Sequence, residues 1–473
     1  MYIFTAPDSN LQKKKLSTIS IVSLVLSLLF YLFFALYDGP ILYPDSDGYI
    51  QMSFSREPVY PLLLALLRFC SPGFYLNLTV ILQSLLMAVS GWALADYLSG
   101  RFNMNLLFSS FLYLLTPAVS LLCRFAAGRK AMYTNSILTE GIAFPLYLLF
   151  ILFLYRYMLE NNHRKLFFFF SCFLAFLLIS TRKQMMFVIL LLLLAVFFKR
   201  KASLRSLCFG LLISFMLLFA NRLLDCGYNY VLRGQFTVHS SSNRFLTTML
   251  FYNAKESDAD YITDSNIREL FLSIYYVCDT NGYLASHAND GWLAEVNHFG
   301  DHYDHIQIDT MWPMILDYSR ATLNTQDIAL LDLETDRINS EIITALLPHH
   351  LTRILGTLIN SFFAGLVSTV AQVKPVFLVY SVFIYLLCLF LWVRLFLIYQ
   401  KSPRKSKSHY HALLFGAITA FAIVINVALV SCLIFCQTRY TIYNMPLFYL
   451  AGTTLLWENA KSFKKHNYSE PQP

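Results

Sequence analysis

Ten apolar runs, each roughly 15 to 25 residues long, recur along this 473-residue chain. They fall near residues 16–37, 74–98, 104–123, 137–158, 164–180, 184–198, 204–224, 375–399, 410–436 and 440–458. Crossing the hydrocarbon core of a bilayer takes ~20 apolar residues in a helix. Lipid offers no hydrogen-bond partners, so each span must satisfy its own backbone as a helix. The runs therefore predict an all-α polytopic membrane protein of about ten transmembrane helices. Only 14% of residues are charged, against about 25% in a soluble domain.

The formal net charge of +8 does not point to nucleic acid, because its carriers sit in short loops beside spans, as the positive-inside rule describes. Arg101, the group Arg156/His163/Arg164/Lys165, the group Lys199/Arg200/Lys201/Arg205, the run 401–409 and the tail 461–466 share one side by alternation. We take that side as cytoplasmic. Lys13, Lys14 and Lys15 precede a first run too long for a cleaved leader, so it reads as a span with its N-terminus in the cytoplasm. Residues 44–50, 124–136, 181–184, 225–373 and 437–440 then lie outside. The run 351–372 could span, but a crossing there would put the basic run 401–409 outside. It is read as an amphipathic helix on the outer interface. The fifth and sixth spans are short, and the turn TRKQ (181–184) between them is expected to lie below the outer surface in a protein-lined cavity.

Three segments follow: 1–224, an N-terminal membrane module whose first loop (38–73) holds interfacial helices; 225–373, an outer soluble segment ending in the interfacial helix; and 374–473, the last spans and a cytoplasmic tail. The nine cysteines form no CxxC and read as small buried hydrophobes. Cys226 and Cys278 are the pair a disulfide could join if the long segment faces an oxidising compartment.

The unusual polar groups gather on the outer side: Asp45, Asp47, Arg56 and Glu57 from the first loop, Arg124, Arg129, Lys130 and Glu140 from the second, Arg182, Lys183 and Gln184 from the third, and Arg439 and Tyr440 from the last. Carboxylates facing cations at one membrane face suit a substrate with an anionic group near the headgroups. Either aspartate of PDSDGYI (44–50) could instead cap a short helix. Arg182, Lys183 and Arg439 could snorkel to headgroups, and Glu140 could be a paired structural carboxylate. HFGDHYDH (298–305) would place three histidines on one helical face, but Gly300 opposes the helix. It reads as a solvated loop, and no metal site is assigned.

The order of these features resembles the GT-C superfamily of polytopic glycosyltransferases, which includes protein O-mannosyltransferases and the aminoarabinose transferases of lipid A. The resemblance rests on PDSDGY (44–49) after the first span, REPVYPLLLALL (56–67), SILTEG (136–141), TRKQMMFVILLLLLA (181–195) and QTRYTIYNMPLFYLAG (437–452). It covers most of residues 16–225 and 410–458; the segment 225–373 resembles nothing named. The resemblance implies transfer of a sugar from a polyprenyl-phosphate donor to an acceptor hydroxyl on the extracytoplasmic face, with inversion. Asp45 would be the general base, with Asp47 the alternate. Arg56 and Arg439 would bind the lipid phosphate, and Arg182 and Lys183 the phosphate or polar sugar groups. Tyr60, Glu140, Gln184 and Tyr440 complete the implied substrate contacts. No cofactor is implied, although some members use a divalent cation. The implied partners are the lipid-linked sugar, the bilayer and an acceptor glycan, lipid or protein. The implied location is a bacterial plasma (inner) membrane. Two rivals carry different marks: a transporter or flippase predicts an internal repeat with broken helices, and a polysaccharide polymerase or ligase of another fold needs no acid after the first span.

Overall fold

The structure, a computed structural model, describes residues 18–126, 131–200, 202–239, 243–402 and 405–467. Lys13 to Lys15, Arg129, Lys130, Lys201 and Arg404 lie outside the described residues.

Apolar helices account for the membrane part. α1 (Thr18–Asp38) leads to a loop with two short helices, α2 (Ser46–Ile50) and α3 (Val59–Cys70). α4 (Tyr75–Arg101), α5 (Leu106–Ala126), α6 (Glu140–Leu159), α7 (Arg164–Thr181), α8 (Phe187–Lys199) and α9 (Leu204–Arg233) follow. A helical outer layer comprises α10 (Asn243–Tyr252), α11 (Ser265–Thr280), α12 (Trp292–Asp304) and α13 (Trp312–Leu323). The chain ends with α14 (Ile328–Val370), α15 (Pro375–Lys401), α16 (Lys407–Leu433), α17 (Thr438–Thr441) and α18 (Met445–Asn467). The protein is an all-α polytopic membrane protein, with nine helices among the described residues long and apolar enough to cross a bilayer.

Two cores hold it together. Tyr31, Leu94, Tyr147, Phe150, Phe187, Leu395 and Tyr443 are buried in the bundle. Phe251, Phe271, Ile274, Tyr303, Ile338 and Ile342 are buried in the outer layer. Leu26, Phe215, Val379 and Phe383 stay exposed on the bundle's flank, an apolar surface that lipid can solvate.

The basic loops do collect at one end. Arg101 meets His411 at 3.1 Å, Lys461 donates to the Phe102 carbonyl at 3.1 Å, Ser462 meets His409 at 3.1 Å, and Lys199 donates to the Met158 carbonyl at 2.8 Å. The opposite end brings together the C-termini of α1, α7 and α16 and the N-termini of α6 and α18.

Two of the ten expected spans fall outside the set of nine. α8 has only 13 residues, because the turn before it consumes the first part of the apolar run. α18 starts at Met445 and carries a polar C-terminal end. The helix that enters the set is α14, 43 residues long. It does not begin at residue 351 as a separate interfacial element, since the polar stretch before it continues the same helix. Nor does it traverse the bundle. Its last turn is fixed beside the start of α18, where Tyr449 donates to the Val370 carbonyl at 2.7 Å and Ser368 meets Thr441 at 3.1 Å. Tyr449 is the fifth residue of α18, a depth of about 6 Å at 1.5 Å per residue. Likewise α9 runs unbroken through residue 224 to Arg233. All nine cysteines are free, with Cys226 in α9 and Cys278 in α11 both buried.

Candidate functional site

PDSDGYI folds as a tight loop around one arginine. Ser46 Oγ accepts the Tyr43 amide at 2.8 Å and opens α2. Met52, at φ +56°, reverses the chain so that Arg56 passes back across α2. There Gly48 is required for space: a Cβ on it would lie 2.7 Å from Arg56 Nε. The guanidinium sits 4.6 Å from the centre of the Tyr49 ring, a cation–π contact, and donates to Asp45 Oδ1 at 2.9 Å. Asp45 makes no side-chain cap for α2. Asp47 points to solvent from the first turn of α2.

The second loop is tied to the first. The Ile41 amide donates to the Asn135 carbonyl at 2.9 Å, and Asn135 Nδ2 donates to the Phe34 and Gly39 carbonyls. This sets Glu140 in the first turn of α6, fully buried. The adjacent Gly141 lets α6 pack directly on Gln83 of α4, whose side chain would lie 2.5 Å from a Cβ. Gln83 also accepts from the Tyr60 hydroxyl at 3.0 Å. Tyr60 is thus buried beneath Tyr49, their rings 5.4 Å apart. Its hydroxyl anchors α3 to α4 rather than facing the open part of the site.

The third and last loops complete the cluster. Arg182 Nη1 lies 2.9 Å from Glu140 Oε1 and 3.0 Å from Thr139 Oγ1. Its Nε donates to Gln184 Oε1 at 2.9 Å, and Gln184 Nε2 donates to Asn426 Oδ1 at 3.1 Å. The TRKQ turn is therefore lined by protein: the Lys183 amide donates to Glu57 Oε1 at 3.0 Å, which satisfies irregular backbone inside the bundle. Arg439 Nε donates to Glu140 Oε1, and its Nη2 donates to Asp45 Oδ2 at 3.0 Å. The Tyr440 ring lies against Arg182 at 5.2 Å and Arg439 at 6.0 Å.

Segments far apart in sequence thus meet in one network of three guanidiniums and two carboxylates, one positive charge in excess. The network grades from closed to open. Glu140 is inaccessible, Arg182 is 12% exposed, and Arg56, Arg439 and Asp45 are 21%, 21% and 37% exposed. Burial pushes the Asp45 carboxyl up, but Arg56 and Arg439 outweigh it and hold the group below its usual range.

The outer layer roofs the cluster with further charged groups. Arg244 of α10 lies 5.0 Å from the Trp312 ring centre; burial first, then Arg56, lowers its pKa. Asp304 of α12 is raised by burial and by Asp45, against Arg439. Lys183 lies within electrostatic reach of Asp336. The run 298–305 is helical and not the solvated loop expected of it. α12 runs through Gly300, His298 meets the Tyr252 hydroxyl at 3.2 Å, and His302 and His305 stack on Tyr283. Among the described residues no group of three or more His, Cys, Asp or Glu could hold a metal ion. Arg124, expected among the outer cations, clamps α5 to α1 through Asp38 at 2.6 Å. A cavity of about 570 Å³ lies apart from the cluster, between α10, α12 and α14, with Tyr252, Glu295, Phe299, Arg353 and Asn360 in its walls. Its Phe435 and Cys436 wall leads along the chain to Arg439.

Comparison with known proteins gives one similar solved structure, that of ArnT from Cupriavidus metallidurans bound to undecaprenyl phosphate. The match has 12% identity over 94% of this chain and 79% of that one, with a TM-score of 0.30. No protein-family model matches the chain, and no curated protein does.

Proposed function

We propose that this protein is an integral membrane glycosyltransferase that moves a sugar from a polyprenyl-phosphate donor to an acceptor hydroxyl, with Asp45 as general base. The observation that carries the reading is the open, cation-rich half of the cluster. Arg56 and Arg439, from loops nearly four hundred residues apart, converge on the single carboxylate Asp45. Their spacing and exposure suit a phosphodiester, which carries one negative charge and offers acceptor oxygens to guanidinium forks. The motifs PDSDGY, REPVYP, SILTEG, TRKQ and QTRY, which resemble the GT-C superfamily, supply every member of this network.

The ion pairs also suggest how the base is armed. Held by two arginines, Asp45 is ionised but weakly basic. A phosphate that takes over their N–H groups releases the carboxylate, whose basicity then rises where it is needed. The acceptor hydroxyl loses its proton to Asp45 and its oxygen bonds to the anomeric carbon. The bond from that carbon to the phosphate oxygen breaks, and the electron pair stays on the lipid phosphate. Arg56 and Arg439 stabilise the charge as it grows, while Glu140 and Arg182 hold Arg439 in place from below. One displacement inverts the anomeric centre. The acceptor would be recognised by the outer layer, and the excess of basic loops at the far end would put the site on the extracytoplasmic face.

The test is release of free polyprenyl phosphate from a panel of lipid-linked sugars, with a membrane extract supplying acceptors. Wild type is expected to turn over, Asp45→Asn to lose turnover with folding intact, and Asp47→Asn to retain it. Equal turnover in wild type and Asp45→Asn would remove this base.

A further inference from the structure

Beside the cluster lies a second constellation that the transfer step does not use. α9 ends at Gly234, in the left-handed conformation at φ +72°, and the chain folds back along the helix. Asn229 holds that return by donating to the Thr237 carbonyl at 2.9 Å. The result is that His239 comes back onto Asp225, two turns before the helix end. Asp225 Oδ2 accepts both the His239 amide at 3.1 Å and the imidazole Nδ1 at 2.5 Å. A carboxylate can only accept, so Nδ1 carries a proton and Nε2 of the neutral ring is an acceptor.

That Nε2 is buried and has no hydrogen-bond partner among the described residues. The His239 and Asp225 side chains are each only 6% exposed. The atom facing Nε2 is Glu57 Oε1, 3.9 Å away, too far for a hydrogen bond. Two acceptors face each other 3.9 Å apart, with no donor between them among the described residues. Leaving the buried Nε2 unsatisfied is costly. A hydroxyl oxygen can sit ~2.8 Å from both, donating to one. With the ring protonated, the same hydroxyl accepts from Nε2 and donates to Glu57, and it is in that state that a hydroxyl completes the site.

The gap also has a defined place. Glu57 follows Arg56 in sequence and accepts the Lys183 amide at 3.0 Å, while Lys183 follows Arg182. The site therefore adjoins both the arginine that pairs with Asp45 and the arginine that pairs with Glu140.

We propose that His239 and Glu57, with Asp225 fixing the imidazole, form a binding subsite for a hydroxyl of the sugar carried by the lipid-linked donor. This rests on the donor reading above. The lipid phosphate would be held by the arginines and the sugar recognised next to it, so that sugar recognition and phosphate affinity become separable.

The experiment measures binding of bare polyprenyl phosphate and of polyprenyl-phosphate-linked glucose, mannose and N-acetylglucosamine to the purified full chain in nanodiscs. Wild type is expected to bind at least one linked sugar about tenfold tighter than the bare lipid phosphate, the order expected of one well-made buried hydrogen bond. Glu57→Gln is the cleanest variant. Its carbonyl can still accept the Lys183 amide, while its NH2 can donate to His239 Nε2 and close the gap from within. It is expected to keep bare-lipid affinity within about twofold and reduce the sugar advantage to about one. His239→Ala should do the same, and thermal melting of each variant checks its fold. A sugar advantage unchanged in folded Glu57→Gln would overturn the proposal, as would a wild type that binds no linked sugar better than the bare lipid. Failure of the donor reading appears separately: bare polyprenyl phosphate would then bind wild type no better than Arg56→Ala.

Discussion

Two buried charge networks sit at opposite ends of this bundle, and they are built differently. At the basic end, Arg156 in the last turn of α6 pairs with Glu160 at that helix's C-cap, one turn on, at 3.1 and 3.2 Å. The guanidinium lies between the rings of Tyr97 and Phe167, at 5.3 and 4.2 Å, and both side chains are all but inaccessible. Charge is balanced, the partners are local and water is kept out. At the other end, three arginines and two carboxylates come from four segments far apart in sequence, carry one positive charge in excess and open to solvent through Arg56, Arg439 and Asp45. A balanced closed pair can be replaced by apolar side chains with little loss of stability. An unbalanced open one is poised to accept an anion. The contrast separates a structural pair from a candidate site without any appeal to similarity.

The sharpest way to break that contrast is at the buried base of the open network. Glu140→Gln leaves Arg182 and Arg439 without their shared partner, and is expected to cost ~3–5 kcal/mol, read as a fall in the thermal midpoint in detergent. At the closed pair, Arg156→Met alone should cost a similar amount, whereas Arg156→Met combined with Glu160→Leu should return to within ~1 kcal/mol of wild type, with turnover unchanged. Next comes Gly48→Ala. Its Cβ would displace Arg56, and a misplacement of that size is expected to reduce kcat/KM by up to ~100-fold while the thermal midpoint stays near that of wild type. The smallest effect is in pH. The folded-state pKa of Asp45 lies below its unfolded value, so its contribution to stability is present above the unfolded value and is lost as pH falls through the folded one. The acid limb of kcat/KM, which reports the free enzyme, should thus lie below the ordinary aspartate value of ~3.9. Arg56→Met should move that limb upward, measured as kcat/KM against pH.

Much of this was legible in the sequence because a bilayer imposes one rule on every span. Apolar runs found the helices, and basic loops sorted their ends. Polar residues too costly to bury idly marked Asp45, Arg56, Glu140, Arg182 and Arg439, which do converge. What failed depended on tertiary context. The extent of α14 was hidden because its first half is polar and its second apolar, so a hydropathy signal reports only part of one continuous helix. Tyr60 sits in the right stretch, but Gln83, a buried partner from α4, claims its hydroxyl. Lys183 takes part through its backbone amide, which no side-chain pattern reveals. His239 gave no signal at all: a lone histidine beyond a helix end becomes notable only when Gly234 folds it back onto Asp225. Arg244 was missed, and Asp304 was weighed only beside the histidines of 298–305, because both belong to the roof, where the sequence resembles nothing named.

The central claim is that the open network binds a lipid-linked phosphate and the closed pair does not take part. The direct measurement is affinity for polyprenyl phosphate in wild type, Arg439→Met, and the Arg156→Met/Glu160→Leu control. Saturable binding is expected in wild type and control alike, with a loss of at least about tenfold in Arg439→Met, the least expected from removing one charged hydrogen-bonding partner. Affinity that is equal in all three, or absent in wild type, would contradict it.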